Sequence, residues 1–135
     1  MSLKTYKPYT KSTRSTILID RKGIWKGSPI KSLTRGKRSS GGRNNLGRIT
    51  SRSKGAGNKK RYRIIDFYRN KVDVMGKVER IEYDPNRTSY IALIKYEDNT
   101  QTYIICPHDL KVGDSIVSGK AKEIKIGNNM PLMDI

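Results

Sequence analysis

Apolar residues are spread unevenly along the chain, and their distribution predicts where the folded part begins. Leu, Ile, Val and Phe make up 9 of the first 63 residues but 20 of the last 72. A segment with so few apolar residues and so much charge cannot bury a core. We therefore predict a largely irregular basic arm over residues 1–60, a folded module over residues 61–127, and a short extended end over residues 128–135.

The folded module consists of short Ile-, Val- and Tyr-rich runs separated by turn residues, which is typical of antiparallel strands. The runs are RYRIIDF, VMGKVERIEYD, SYIALIKYE, QTYIICP, SIVSG and AKEIKI. In SYIALIKYE (89–97) both faces of an extended chain carry apolar side chains, which indicates a central strand. Residues 84–87 suit a type I turn, and residues 97–100 suit a hairpin connection. The pattern predicts an all-β fold, a small oligonucleotide-binding-type barrel of five or six antiparallel strands.

The long basic N-terminal arm contains only short apolar islands. STILID (15–20), GIWKG (23–27) and SPIKSL (28–33) are the three islands, and together they predict one or two short strands or turns. Trp25 lies between glycines in the second island. Two roles for it remain open, anchoring the arm on the barrel or stacking on a nucleic-acid base.

The charge follows the same division and changes the picture of the arm. The net charge is +17, and the first 63 residues hold 19 of the 29 Lys and Arg against a single acid, Asp20. So many uncompensated positive charges repel one another and require a polyanionic partner. A membrane surface would require a basic amphipathic helix, which a Gly- and Ser-containing arm does not form. Nucleic acid is therefore the expected partner, and binding to a membrane is not expected.

The stretch GGRNNLGRIT (41–50) comes close to a mononucleotide phosphate loop but departs from it. That motif requires Lys and then Ser or Thr where Arg48 and Ile49 stand, and a strand should lead into it. We predict instead a loop that meets the phosphates of a polymer. Its glycines allow close approach and its arginines bind phosphate in a bidentate way. The candidate RNA-binding residues here and downstream are Arg43, Asn44, Asn45, Arg48, Arg52, Lys54, Lys59, Arg61 and Arg63.

Other polar residues of the module have simpler interpretations. Cys106 is the single cysteine, which excludes an internal disulfide and fits a reducing compartment. With His108 it supplies only two ligands, so no metal site, cofactor or catalytic residue is expected. The carboxylates are expected to pair with neighbouring arginines; they are Asp66, Glu79, Glu82 and Asp84. Most aromatic side chains should be core, with Tyr68 the best candidate for stacking on a base.

Several of these stretches together resemble one family. SGGRNNLGRIT, RYRIIDFYRNK, VERIEYDPNRTSYIALIKYEDN and IKIGNNMPL are similar, in order and spacing, to the N-terminal half of large-subunit ribosomal protein two. The resemblance covers nearly all of residues 20–135. It implies an oligonucleotide-binding-type barrel in large-subunit ribosomal RNA, near the peptidyl-transferase region, among other ribosomal proteins. It also implies that the protein orders RNA and is not an enzyme.

The resemblance carries over a set of RNA-contacting positions and shows two departures. The positions are Arg43, Asn44, Asn45, Arg48, Arg63, Arg69, Asn70, Lys71, Asn86 and Arg87. Asn58 stands where the family has a histidine, and the family continues into a second half beyond residues 128–135. We expect a separate polypeptide to carry that half, and the alternative is a ribosome that functions without it. The composition, typical of a reduced genome, favours a mitochondrial ribosome, with a bacterial cytoplasm as the alternative.

Two other functions remain open at this point. A stand-alone RNA-binding module or RNA chaperone could use the same barrel, and it would expose its stacking tyrosines. An RNA-modifying enzyme is the third candidate, and the sequence shows no convergent catalytic set for it.

Overall fold

The computed structural model describes residues 3–55, 57–120 and 122–134. Within these residues the regular secondary structure is mostly β-strand, which confirms the all-β prediction. The strands are β1 (Leu3–Thr5), β2 (Ile17–Ile19), β3 (Thr34–Gly36), β4 (Arg61–Arg63), β5 (Gly76–Glu82), β6 (Ile91–Tyr96), β7 (Gln101–Ile105) and β8 (Ser115–Ile116). The helical elements of the described residues are one turn of α-helix, α1 (Lys11–Arg14), and 3-10 turns at Lys31–Leu33 and Leu132–Asp134. No helix in this part of the chain is long and apolar enough to cross a membrane.

The main sheet is antiparallel and curls into a half-barrel with the order β7-β6-β5-β8. Isolated bridges extend both of its edges, one joining Ile65 to Tyr103 of β7 and the other joining Trp25 to Glu82 of β5. A register shift between Val78 and Arg80 in β5 interrupts the ladder with β6. Such an irregularity bends a strand and strengthens its twist, which favours a curled sheet.

The predicted central strand occupies the middle of this sheet, and both of its faces are buried. Ala92, Ile94 and Tyr96 belong to one apolar cluster with Val78, Ile104, Leu110 and Ile116. Ile91 and Leu93 belong to a second cluster with Ile65 and Tyr103. Side chains two apart in a strand point to the same face, so the alternation divides β6 between two cores. Each fully buried Leu or Ile contributes roughly 1.5–3 kcal/mol.

Part of the basic arm packs on the barrel. Ile30 and Leu33 contact the second cluster, and the backbone N–H of Ile30 donates to the Tyr103 hydroxyl at 3.0 Å. Strand β3 pairs with β4 from Thr34 opposite Arg63 to Gly36 opposite Arg61. The division of the chain at residue 60 stays a prediction, and these contacts cross it.

One expected strand is not formed. Residues 122–126 of the run AKEIKI have no strand pairing, and Ala121 lies outside the described residues. Instead, the backbone N–H of Lys125 donates to the carbonyl of Glu123 at 2.9 Å, and Ile124 is exposed. The prediction was wrong because β8 pairs over only two residues of β5, and the rest of that edge is met by Trp25.

The N-terminal hairpin of β1 and β2 stands apart from both clusters. Leu3 pairs with Ile19, and Thr5 pairs with Ile17. All six residues of the two strands are exposed, although four of them are Leu or Ile. One of the apolar islands, STILID, thus contains a short strand, β2.

Candidate nucleic-acid interface

The glycine loop, defined here as residues 41–52, folds back on itself around the backbone of Gly42. The Gly42 carbonyl accepts the N–H groups of Thr50 at 2.9 Å and Ser51 at 3.2 Å, and Arg43 is bridged to Ile49. Gly42 is buried with a φ of +77°. A Cβ at this position would lie 2.1 Å from the Ser51 carbonyl oxygen, so only glycine fits.

Asn44 has a structural role at the tip of this loop. Its side-chain oxygen accepts the N–H groups of Leu46 at 3.0 Å and Arg48 at 2.9 Å. Its own N–H donates to the Arg48 carbonyl at 2.9 Å. Asn45 and Arg48 are exposed beside it, and so is Arg43, whose Nη1 donates to the Gly41 carbonyl at 2.9 Å. The loop thus presents Arg43 and Arg48 beside its tip, with Asn44 fixing its shape.

A basic groove, defined by residues 37–39 and 55–60 without Ala56, lies beyond the β3–β4 pair. Lys37 and Arg38 line one part of it, and Lys59 and Lys60 line another. All four side chains are exposed, as are those of the predicted residues Arg52, Lys54 and Arg61. Sequence reasoning missed Lys37 and Arg38 because the pairing of β3 with β4, rather than proximity in sequence, brings the two segments together.

A buried carboxylate gathers three of the predicted residues from two segments. Asp84 is 0% exposed, and its Oδ2 accepts Arg87 Nε at 2.6 Å. Its Oδ1 accepts both the backbone N–H and the side-chain amide of Asn86 at 3.0 Å, and Arg63 Nη1 lies 4.0 Å away. The Asn86 amide also donates to the Arg61 carbonyl at 2.6 Å. This Asp84 cluster joins the predicted turn to β4.

The electrostatics of the Asp84 cluster follow from these contacts. Burial opposes ionisation of Asp84, but the hydrogen bonds from Asn86 and Arg87 outweigh it and hold the pKa of the carboxyl below its usual value. The side chains of Arg63 and Arg87 are only 11% and 18% exposed. The Arg87 guanidinium also lies 5.8 Å from the centre of the Phe67 ring. Arg87 is therefore held in one direction before any partner binds.

The segment containing Tyr68, Arg69, Asn70 and Lys71 divides into free and engaged side chains. Tyr68 is 84% exposed, and Asn70 is exposed too. Arg69 donates from its backbone N–H to Asp66 Oδ1 at 2.9 Å and from Nη2 to the Gly127 carbonyl at 2.9 Å. The Lys71 ammonium contacts Asp98 and Thr100 and lies 4.8 Å from the centre of the Tyr96 ring. Lys71 is thus paired within the barrel.

Another group of polar contacts holds the arm against β5. The backbone N–H of Trp25 donates to the Ile81 carbonyl at 2.9 Å, and the Arg80 guanidinium lies 4.6 Å from the Trp25 ring centre. Glu82 Oε1 accepts both Arg80 Nε at 2.8 Å and the Tyr103 hydroxyl at 2.9 Å. Burial raises the pKa of Tyr103, and the bond to Glu82 raises it further. Of the two roles left open for Trp25, the structure shows the anchoring one.

The remaining carboxylates and the Cys106 region have local partners. Glu79 accepts from Gln101 at 2.9 Å rather than from an arginine, so the expected arginine pairing holds for Glu82 and Asp84 only. Cys106 donates to the Pro107 carbonyl at 3.4 Å, and burial raises the pKa of its thiol. Among the described residues no group of three His, Cys, Asp or Glu is arranged to hold a metal ion.

Comparison with known proteins places this interface in a family. A sequence model described as "Ribosomal Proteins L2, RNA binding N-terminal domain" matches residues 30–118. The chain belongs to the ribosomal protein L2 family. The matched residues include the glycine loop, the Asp84 cluster and the main sheet, so the family signal and the clustered polar residues occupy the same part of the molecule.

Individual relatives agree with the family assignment. The chain is 60% identical to the large ribosomal subunit protein uL2 of Pelagibacter ubique, with 100% of the chain and 48% of the relative covered. It is 59% identical to that of Rhodopseudomonas palustris over 98% of the chain and 48% of the relative. It is 61% identical to that of Ruegeria pomeroyi, with 97% of the chain and 47% of the relative covered. The chain thus spans about half the length of these relatives, and all three relatives are bacterial.

The Lys71–Asp98 pair makes the stability of this L2-family domain depend on pH in the acidic range. The hydrogen bond from Lys71 is the main cause that lowers the pKa of Asp98 from 3.8 to about 2. Because the pKa is lower in the folded state, ionised Asp98 stabilises the fold at pH values above 3.8, the pKa in the unfolded chain. This stabilisation is lost as the pH falls towards 2. We expect Asp98→Asn to lower the melting temperature at pH 5 and to leave it nearly unchanged at pH 2.

Thermal melting followed by circular dichroism from pH 5 to pH 2 measures this difference. Asparagine keeps an oxygen for the N–H of Thr100, which Asp98 Oδ1 accepts at 3.0 Å, and removes both the charge and the oxygen that accepts from Lys71. Glu123→Gln serves as the control, because Glu123 is exposed and pairs only with its near neighbour Lys125. If the difference in melting temperature between wild type and Asp98→Asn stayed the same from pH 5 to pH 2, the pair would not be the cause of the pH dependence.

Proposed function

We propose that the chain is a structural constituent of the large ribosomal subunit, which binds and orders large-subunit ribosomal RNA and catalyses no reaction by itself. The observation that carries the proposal is the match of residues 30–118 to an RNA-binding L2 domain. The charge of the arm supports it, since 19 of 29 cations lie in the first 63 residues. Phosphates of a folded RNA supply the counter-charge that such an arm requires.

The proposed RNA contacts divide by exposure. Exposed side chains with no acidic partner in the described structure are suited to phosphate and sugar; they are Arg43, Asn45, Arg48, Arg52, Lys54, Lys59, Arg61 and Asn70. A second group acts from fixed positions around Asp84; it consists of Arg63, Asn86 and Arg87. Asn44, Arg69 and Lys71 make internal contacts, and their part in RNA binding is to shape the surface around them.

The finer placement of the protein is also a proposal. The names of the relatives support a ribosome of bacterial type. A location near the peptidyl-transferase region and contacts with other ribosomal proteins follow from the family resemblance. A mitochondrial ribosome is favoured only by composition, whereas the bacterial relatives favour the cytoplasm of a bacterium. Subcellular fractionation, with the protein followed by an antibody, distinguishes the two compartments.

Sedimentation of a tagged copy through a density gradient after a high-salt wash tests the ribosomal role. We expect the protein in the large-subunit fraction, and mass spectrometry of that fraction tests whether a companion polypeptide carries the second half of the relatives' length. Recovery at the top of the gradient with mixed RNAs would instead support a stand-alone RNA-binding module. The exposed Tyr68 is the observation that favours this second candidate.

Binding of the free chain to large-subunit RNA should depend steeply on salt. If roughly 6–10 phosphates are contacted, affinity falls by about 10³–10⁵ between roughly 50 and 200 mM salt. We expect Arg48→Gln to reduce the slope of log affinity against log salt by about one phosphate contact. Filter binding over a series of salt concentrations measures this slope. Lys111→Gln is the control, because Lys111 is exposed and lies outside the proposed interface. Equal slopes for wild type and Arg48→Gln would exclude Arg48 from phosphate binding.

A further inference from the structure

Tyr68 is an exposed aromatic side chain on a loop whose backbone is fixed. In the loop of residues 66–73, the backbone N–H of Arg69 donates to the Asp66 carboxylate at 2.9 Å. The loop is also attached to the barrel by the bond from Arg69 Nη2 to Gly127 at 2.9 Å. Arg69 and Asp73 adopt φ values of +55° and +62°, which is uncommon for residues other than glycine. A rigid loop therefore holds a ring that is 84% exposed, where it gains little from packing.

A groove begins at this ring, and backbone bonds between three segments build its floor. The N–H of Asp73 donates to the Ser118 carbonyl at 2.8 Å, and the N–H of Gly119 donates to the Asn129 carbonyl at 3.0 Å. A parallel bridge also joins Ser118 to Asn129. Because the segments are bonded to one another, the groove exists before any ligand binds.

The lining of the Tyr68 groove combines apolar surface with positive charge. Val72, Met130 and Pro131 supply apolar surface next to the tyrosine, and Arg69 and Lys120 supply cations. No carboxylate is among the lining residues that the structure describes. Of the acids beside the lining, Asp73 is paired with Lys122 at 2.6 Å, and Asp66 accepts the Arg69 N–H at 2.9 Å. The groove thus favours a flat, apolar ring that carries a negative group.

We propose that the Tyr68 groove binds one unstacked base of single-stranded RNA. The base stacks on Tyr68, and its phosphate lies near the exposed Lys120. The amides of Asn70 and Asn129 also line the groove and supply hydrogen-bond donors and acceptors for a base edge. This inference rests on the proposed RNA-binding function and adds a site for an unpaired nucleotide. An acidic peptide offers the charge but not the flat ring, and a base offers both.

Photo-crosslinking of the full chain to a single-stranded oligouridine tests the proposal. The probe has about ten nucleotides, within the range of roughly 4–16 for this type of fold, and carries one 5-iodouridine. Light couples this base to an aromatic ring stacked on it, and trypsin releases the adduct in the peptide of residues 64–69. We expect the adduct on Tyr68. Adducts found only on Phe67 or on tyrosines outside the groove would overturn the proposal.

Matched variants separate stacking from general RNA affinity. Tyr68→Phe should keep the affinity for the oligouridine, whereas Tyr68→Leu should lower it by roughly 5- to 100-fold, the usual contribution of one stacked base. Both should fold, since the ring is 84% exposed. Tyr9→Leu is the control, because Tyr9 is 78% exposed in the arm. Equal affinities of Tyr68→Leu and Tyr9→Leu would overturn the groove site.

The same variants distinguish failure of the site from failure of the proposed function. If Tyr68→Leu matches wild type while the tagged chain still sediments with the large subunit, only the groove proposal is wrong. If the oligouridine crosslinks to Tyr68 and the tagged chain does not sediment with the subunit, the groove stands and the ribosomal role falls. If the oligouridine does not bind wild-type chain at low salt, the groove proposal is wrong whatever the sedimentation shows.

Discussion

Replacing Asp84 by alanine should lower the free energy of unfolding by roughly 3–5 kcal/mol, the usual cost of removing one partner of a buried ion pair. Asp84 is fully buried, and it accepts from Asn86 and Arg87. Its removal leaves the guanidiniums of Arg63 and Arg87 without their carboxylate in a site where each is less than one-fifth exposed. Small domains are stable by only about 5–15 kcal/mol, so the loss is a large fraction of the total.

Urea denaturation measures the effect, with the fluorescence of Trp25 as the signal. Trp25 is the single tryptophan and is bridged to Glu82, so its emission reports the edge of the sheet. Glu123→Ala is the matched control, since it removes one exposed acid that pairs only with Lys125. Surface pairs of this kind contribute about 0–1 kcal/mol. If Asp84→Ala lowers the free energy of unfolding as little as Glu123→Ala does, the Asp84 cluster does not hold the turn to β4.

Gly42→Ala should reduce RNA affinity by about 10- to 100-fold without unfolding the barrel. The new Cβ would lie 2.1 Å from the Ser51 carbonyl oxygen, so the two sides of the glycine loop must separate. The loop then no longer fixes Arg43 and Arg48. A hydrogen bond to a charged group contributes roughly 1.5–3 kcal/mol, and each 1.4 kcal/mol is about tenfold in affinity.

Gly47→Ala provides a matched control for the glycine loop. Gly47 has the same φ of +77°, but a Cβ there would have nothing within 4 Å. Both variants therefore carry the same conformational strain, and only Gly42→Ala adds the clash. Filter binding to large-subunit RNA compares their affinities, and thermal melting confirms that both remain folded. If the two variants bind equally, the closed shape of the loop is not required for RNA binding.

The sequence by itself determined the class of the fold and the division of charge. Apolar side chains on both faces of residues 89–97 predicted a central strand, and Ile91–Tyr96 is that strand, because side-chain period and apolar content are local properties of one segment. The predicted hairpin after it is present as well, since Asn99 adopts a φ of +61° and its N–H donates to Tyr96. The excess of cations in the arm likewise needs no structure to be seen.

Only the tertiary structure decided which polar groups are free and which are engaged. Lys71 meets Asp98, and Ile30 meets Tyr103, because the chain folds around the curled sheet, although the latter pair is 73 positions apart. Pairing of β3 with β4 brings residues 37–39 beside residues 55–60 in one basic groove. Residues 122–126 of the strand expected over 121–126 have no strand pairing in the tertiary structure. Local pattern shows what a segment can pair with, whereas the folded sheet decides which partners it meets, because those partners lie far apart in the sequence.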